Sequence, residues 1–413
     1  MRRLGALFAL FLLLQAGAAA VASAPGMKLD PRFGRDGVVR IDPEAPGHAE
    51  SFPYEMVGTG SGGFFVLEWA KGSGCKRCSD WFLLRHGPNG ARDRSFGAVA
   101  VVRGLGYYDY PDLAVDGVGR PLVYWKEGHD VIVKRLTLRG RIDRRFGDHG
   151  RFVLSCGCYP ASLSALPHGR LLLLSDGNER TQRHYRGSIP VVARLRRDGT
   201  LDRSFGVDGI ARPRLHGRYS PQDLVVEPGG GVVLSGDTCC GLGPGPYVTR
   251  LRADGKIDRA YGRAARRAVK RLPRGAEVLF VHGLVGHRDG SVDLYGSLNF
   301  NERTFVLRLD RNGSLARSFG RRGMKAFRFS LGAVGSDGRD GAIVQGNGNL
   351  YRLGPQVRTE GAPRVRYSGG DTEGISIEPQ DGGTVLVFDF GEDAGCRQSC
   401  SSVVSITRLR LIG

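Results

Sequence analysis

Seven side chains carry the chemistry a ligand site would need: Tyr54, Tyr110, Asp112, Tyr159, Tyr219, Asp223 and His282. Aromatic rings offer apolar faces with a polar tip, and a few carboxylates fix orientation. That mixture suits a sugar, a peptide or a small amphipathic ligand. Each of the seven stands just before, or at the opening of, a short apolar run, so they share a structural position. The competing reading is that the tyrosines only pack at the tops of sheets. No nucleophile with its base can be assigned. The nine His are scattered, His-Glu-x-x-His and Gly-x-Ser-x-Gly are absent, and no catalytic residue, metal ligand or cofactor is expected. The glycines of Gly58-Thr-Gly-Ser-Gly-Gly63 lie between two strand-like runs, as in a hairpin turn, rather than before a helix that could cradle phosphate.

Cysteine is the second reactive group. The eight Cys fall in four close pairs: Cys75/Cys78, Cys156/Cys158, Cys239/Cys240 and Cys396/Cys400. An even number in an exported chain points to disulfides. Pairing within each couple is the first expectation. Cys239–Cys240 would be a vicinal bridge, whose Cα atoms sit ~3.8 Å apart, below the ~4.4 Å a disulfide normally spans. Two alternatives stay open: Cys75/Cys78 bridged to Cys396/Cys400, or a Cys₄ zinc site built from those four.

The elements that position these residues are set by a repeat. Asp30-Pro-Arg-Phe33-Gly34 returns as Asp93-Arg-Ser-Phe96-Gly97, Asp143-Arg-Arg-Phe146-Gly147, Asp202-Arg-Ser-Phe205-Gly206, Asp258-Arg-Ala-Tyr261-Gly262 and Ala316-Arg-Ser-Phe319-Gly320, with aromatics 50 to 63 residues apart. A period of that length means a closed or stacked array. One unit reads as strand Asp223–Glu227, turn, strand Val232–Ser235, strand Tyr247–Leu251, an Asp254-Gly255 hairpin signal, then Tyr261-Gly262 and a fourth strand. Four short antiparallel strands per unit is a β-propeller blade. The third strand recurs seven times: Phe82–Arg85, Val131–Leu136, Val191–Leu195, Tyr247–Leu251, Phe305–Leu309, Asn349–Leu353 and Val403–Ile406. The expectation is therefore an all-β, seven-bladed propeller over residues 25–413, with six or eight blades as alternatives. The lone strand Val38–Ile41 should complete the last blade beside Val403–Ile406, leaving no open edge. Long helical periodicity is not evident after residue 25. The motif aromatics should plug between blades, the Asp should accept turn N–H groups, and all eight Cys should share one face of the disc with the long loops and the seven ligand candidates.

Arg194-Leu-Arg-Arg-Asp-Gly-Thr-Leu-Asp-Arg-Ser-Phe-Gly-Val-Asp-Gly209 resembles the repeat of the delta-60 family of bacterial secreted and surface proteins. The likeness extends over nearly all of the chain after residue 24. It implies a propeller-like array and brings no catalytic motif.

Residues 1–24 read as a secretion signal: Arg2 and Arg3, the apolar run Leu4–Leu14, and Ala22-Ser23-Ala24 before cleavage. No other stretch could span a bilayer. Losing Arg2 and Arg3 lowers the formal charge from +19 to +17, and Arg outnumbers Lys 52 to 8. Arg forks suit phosphate and carboxylate, although GC-rich coding also raises Arg. The charge is diffuse outside Arg263–Arg274, which counts against nucleic acid. The leading functional expectation is a monomeric, secreted or cell-surface binding module. Its Cys-rich face would recognise an anionic cell-wall polymer or another surface protein. The alternative is a propeller-type enzyme (a quinone-dependent dehydrogenase, a lyase or a glycan hydrolase) working at the central mouth.

Overall fold

The computed structural model describes residues 27–48, 50–72, 77–106, 109–181, 184–213, 219–238, 246–272, 279–298, 303–327, 331–346, 349–353, 376–380, 383–391 and 403–411. The signal segment, the degenerate motif near Pro363–Tyr367 and Cys75, Cys239, Cys240, Cys396 and Cys400 lie outside them.

Seven antiparallel sheets follow one another along the chain, the blades of a propeller. Blade 1 comprises Ser51–Gly58, Phe64–Lys71, Cys78–His86 and Val99–Gly106. Blade 2 comprises Asp112–Val115, Pro121–Glu127, Asp130–Arg135 and Arg151–Ser155. Blade 3 comprises Cys158–Ala165, Leu171–Thr181, His184–Leu195 and Ile210–Ala211. Blade 4 holds Tyr219–Val226, Val232–Thr238 and Tyr247–Leu251. Blade 5 comprises Leu279–Gly286, Val292–Leu298, Arg303–Leu309 and Met324–Phe327. Blade 6 shows Leu331–Ser336, Ala342–Gly346 and Asn349–Leu353. Blade 7 has Ser376–Gln380, Thr384–Gly391 and Val403–Leu411. The strand Val38–Ile41 pairs with this last strand, Ile41 opposite Val404, and Met27–Leu29 pairs with its far end.

The second strands read as continuous apolar runs because both their faces are buried between neighbouring blades. Leu171, Leu172, Leu173 and Leu174 have no exposed surface. The core is a series of seams. Phe65, Leu67 and Trp69 of blade 1 meet Val123, Trp125 and Ile132 of blade 2. Equivalent clusters join each successive pair. A further seam packs Leu386, Phe388 and Ile406 of blade 7 with Phe33, and with Phe64 and Val66 of blade 1.

The repeated motif forms the latch of each seam. Phe146 is fully buried, and a Cβ on Gly199, in the hairpin turn of the next blade, would come within 2.7 Å of its ring. The Gly147 N–H donates to Asp198 O in that turn at 2.6 Å. Asp143 accepts from the Arg145 N–H at 3.3 Å, as expected of the motif acid. An element not foreseen is an arginine in every third strand. Arg135 stacks over Phe146 at 4.3 Å, pairs with Asp143 at 3.0 Å and donates to Arg197 O of the next blade at 2.7 Å. Arg194 repeats the arrangement with Phe205, Asp202 and Ala253 O. Arg408 stacks on Phe33, pairs with Asp30, and reaches Pro88 O of blade 1. Where the motif acid is replaced by Ala316, Arg308 turns to Asp293 of its own blade at 2.6 Å.

Blade 4 corrects one expectation. After Asp258 the chain forms helix α1 (Arg259–Val269), not a fourth strand. Other copies of the motif place glycine four residues after the aromatic (Gly37, Gly150, Gly209, Gly323), each with φ between +90° and +97°. That glycine turns the chain back as a strand. Here the position is Ala265, in a run of Ala and Arg, which are good helix formers. Asp258 caps the helix by accepting from the Ala260 and Tyr261 N–H groups, each at 3.0 Å.

Candidate functional site

The innermost strands of the seven blades pack side by side around the centre, Ser376–Gln380 lying next to Ser51–Gly58. Five of them carry a one-residue bulge in the same place, between Pro53 and Glu55, Pro160 and Ser162, Pro221 and Asp223, Val281 and Gly283, and Leu331 and Ala333. A bulge leaves one residue outside the ladder and re-aims its neighbours. Tyr54 and His282 are the extra residues of their bulges, and Glu55 and Asp223 follow directly.

Blades 1 and 2 build the main cluster. The Tyr54 ring lies flat on Tyr110, centroids 5.4 Å apart with planes 6° from parallel. Its edge contacts Trp81 at 5.1 Å, and Trp81 Nε1 is fixed by Ser79 Oγ at 2.8 Å. Glu55 Oε2 accepts from the Leu113 N–H at 3.0 Å, which brings Glu55 beside Asp112. Burial, followed by the charges of Asp112 and Glu378, drives the Glu55 carboxyl well above its usual range. Burial pushes Asp112 up to about 7 and Glu378 up to about 7. Burial raises Tyr54 to about 12, with Asp112 and Glu55 adding to it. The three carboxyls therefore sit on innermost strands in a place that disfavours their ionised forms.

A second group lies between blades 4 and 5. Asp223 Oδ2 accepts from the Leu284 N–H at 2.8 Å, and burial lifts its carboxyl to about 6. Asp237 accepts twice from the Val281 N–H at 2.9 and 3.0 Å, and burial lifts it to about 6. His282 Nε2 is 2.8 Å from Ser297 Oγ, and burial lowers its basicity. Tyr124, deep between the groups, feels Asp112, Glu55 and Asp223, with burial the dominant cause of its raised pKa.

Of the seven sequence candidates, Tyr54, Tyr110 and Asp112 thus form one cluster, and Asp223 and His282 belong to the other. Tyr159 is 47% exposed with Lys126 over its ring at 4.6 Å. The Tyr219 side chain lies outside the described residues. Glu55 and Glu378 escaped sequence reading. Each is an acid inside an innermost strand, the available signal, but the bulge at Tyr54 breaks the alternation from which the facing of Glu55 would be read. Among the described residues, no three His, Cys, Asp or Glu side chains are arranged to hold a metal ion. Cys156 and Cys158 are joined by a disulfide, Cα atoms 5.1 Å apart, at the start of blade 3. Cys78 is also disulfide-bonded. No described helix is long and apolar enough to cross a membrane.

No family model matches the chain, and no curated protein matches it. Solved structures do. The chain is similar to the β-propeller domain of the Trilobed protease from Pyrococcus furiosus, with 10% identity over 87% of this chain and 97% of that one and a TM-score of 0.49. A gluconolactonase from Xanthomonas campestris matches with 13% identity over 91% of this chain and 100% of that one, TM-score 0.37. Regucalcin from Agrobacterium tumefaciens matches with 12% identity over 73% of this chain and 90% of that one, TM-score 0.39.

Proposed function

We propose that the protein is a propeller-type enzyme performing acid–base chemistry on a carbohydrate-like ligand at the central mouth, as a lyase or glycan hydrolase. The observation that carries this reading is the placement of Glu55 and Asp112 together next to the stacked Tyr54 and Tyr110. An aromatic platform seats a sugar ring, and paired carboxyls in unlike environments divide into acid and base. Glu55, held by a backbone donor, is the proposed general acid; Asp112, which ionises near neutrality, is the proposed base.

The test is turnover of a panel of neutral and uronate-bearing polysaccharides, read as new reducing or unsaturated ends. Asp112→Asn and Glu55→Gln should each lower turnover by ~10²–10⁴ while leaving ligand affinity within a few-fold. Binding to Tyr54 and Tyr110 without turnover would replace the enzyme with a non-catalytic sugar-binding module, which the same aromatic pair also supports.

The proposal includes export. The Arg2–Arg3, Leu4–Leu14 and Ala22–Ala24 pattern supports cleavage, so the mature protein should begin at Pro25; an intact Met1 on material from outside the cell would refute it. Kinship with the delta-60 repeat rests on Arg194–Gly209 and belongs to the same proposal. So does closure of the ring by the N-terminal strand, which the Val38–Ile41 pairing and the Arg408 latch to blade 1 support.

A further inference from the structure

The copy of the motif that departs from the repeat also concentrates charge. Every fully exposed residue of α1 and its last turn is cationic except Ala260: Arg259, Arg263, Arg266, Arg267, Lys270 and Arg271. Its other side is buried through Tyr261, Ala264, Ala265, Ala268 and Val269. None of these six cations pairs with a described acidic side chain. Cations four residues apart on a helix repel, so such a face weakens the helix. A mixed face would serve solvation better.

Between the end of α1 and blade 5 lies a groove of about 590 Å³. Lys270 and Arg271 stand on one bank and Arg321 and Arg322 on the other, over a floor that includes Leu272, Leu307 and Met324. Arg322 has φ +59°, the left-handed region, where sister copies of the turn place Asp36, His149 and Asp208. Asp and His tolerate that conformation more readily than a long aliphatic stem does. Strain of this kind persists where a site uses the side chain.

We propose that this groove, on the rim of blades 4 and 5, binds an acidic polysaccharide. The cations along α1 recur at about 6 Å, four residues at ~1.5 Å rise. That spacing addresses a line of anionic groups rather than a single small anion. The apolar floor suits the C–H faces of sugar rings, and Arg forks suit carboxylate or sulfate. The groove's described lining holds no aromatic ring, whereas binders of single-stranded nucleic acid combine a cationic groove with aromatic rings on which bases stack. The groove is separate from the mouth, and the proposal does not depend on catalysis there.

The test is fluorescence titration of the full mature chain with a heparin dodecasaccharide, with neutral dextran and a single-stranded DNA oligomer in parallel arms. The variant is Arg267→Ala/Arg271→Ala/Arg321→Ala/Arg322→Gly. Its control, Arg139→Gln/Arg141→Gln/Arg144→Gln/Arg145→Gln, removes the same charge from exposed positions of blade 2. Heparin should bind, dextran should not, and affinity should fall steeply with salt. The groove variant should lose at least tenfold and the control less than threefold, and neither should unfold at a lower temperature than wild type. Since all the altered side chains are exposed, folding should survive; if the groove variant melts early, Arg321→Ala alone should still lose threefold or more. Absence of heparin binding, equal losses in the two variants, or tighter binding of DNA than of heparin would overturn the proposal.

Discussion

At the scale of single residues, the molecule uses carboxylates in two opposed ways. In the latches they are held ionised. Burial raises the Asp202 carboxyl, but hydrogen bonds from Ser204 and the Arg194 charge outweigh it, and its net direction is down. By contrast, burial raises Asp112 from 3.8 to about 7. The two kinds act in different pH windows. Asp202 contributes stability that is present above its unfolded value and is lost as pH falls below about 3.8. Asp112 does the reverse: between 3.8 and about 7 the folded chain holds a proton that the unfolded chain has released, so stability falls as pH rises through that window. Asp112→Asn removes this loss and also relieves Glu55. The difference in melting temperature between Asp112→Asn and wild type should therefore increase in favour of the variant from pH 4 to pH 7. A difference that stays constant across the window would show that Asp112 is not held protonated. The sequence marks Asp202 as a motif acid and leaves Asp112 outside the motif, but it does not show which carboxyl is held ionised. Asp202 finds its partners within its own blade, Arg194 and Ser204, whereas the acid beside Asp112, Glu55, comes from the neighbouring blade.

At the scale of elements, much could be read directly and the exceptions have local causes. The third strands, the Val38–Ile41 strand and the plugging aromatics follow from the spacing of Phe-Gly. Helix α1 was missed because the Asp-x-x-aromatic-Gly phrase is intact there. The deciding residue lies four beyond the aromatic, Ala265 in place of glycine. Blade 1 also lacks that glycine, at Ala100, yet forms the strand Val99–Gly106. There the following residues include Val99, Val101 and Val102, whose branched side chains favour strands. Local propensity chose between the outcomes. Asp258 then serves two ends, capping α1 and pairing with Arg250 at 2.6 Å. Asp258→Asn keeps a good cap acceptor and loses the ion pair, whereas Asp258→Ala loses both. In urea unfolding the Ala variant should be the less stable of the two by ~1 kcal/mol. Equal losses would mean that the cap adds nothing to a helix already held by its buried alanines.

At the scale of the whole molecule, the repeated latch makes each blade a ligand of the next, and the interest lies in whether the last latch equals the others. Phe33 is fully buried in the seam between blades 7 and 1, and Gly90 faces it as Gly199 faces Phe146. Its Gly34 N–H donates to Asn89 O at 2.8 Å, the same bond that Gly206 makes to Asp254 O at 2.8 Å. Yet Phe33 reaches its seam from the other end of the chain, so its contacts close a loop of nearly the whole sequence. Besides those contacts, the Arg408 stack on Phe33 and the Asp30 ion pairs to Arg408 and Arg410 tie this segment to the last strand. If the ring is closed thermodynamically, Phe33→Ala should destabilise by ~3–5 kcal/mol, the same as Phe205→Ala in an ordinary seam. Both variants should melt in one transition. If the N-terminal strand is an appendage, Phe33→Ala should cost under ~1 kcal/mol, the range of surface changes, and the amides of Val404–Thr407 should exchange freely while the other third strands stay protected. Matching losses at Phe33 and Phe205, with Val404–Thr407 protected to the same degree as Val191–Leu195, would make the N-terminal strand an integral part of the last blade.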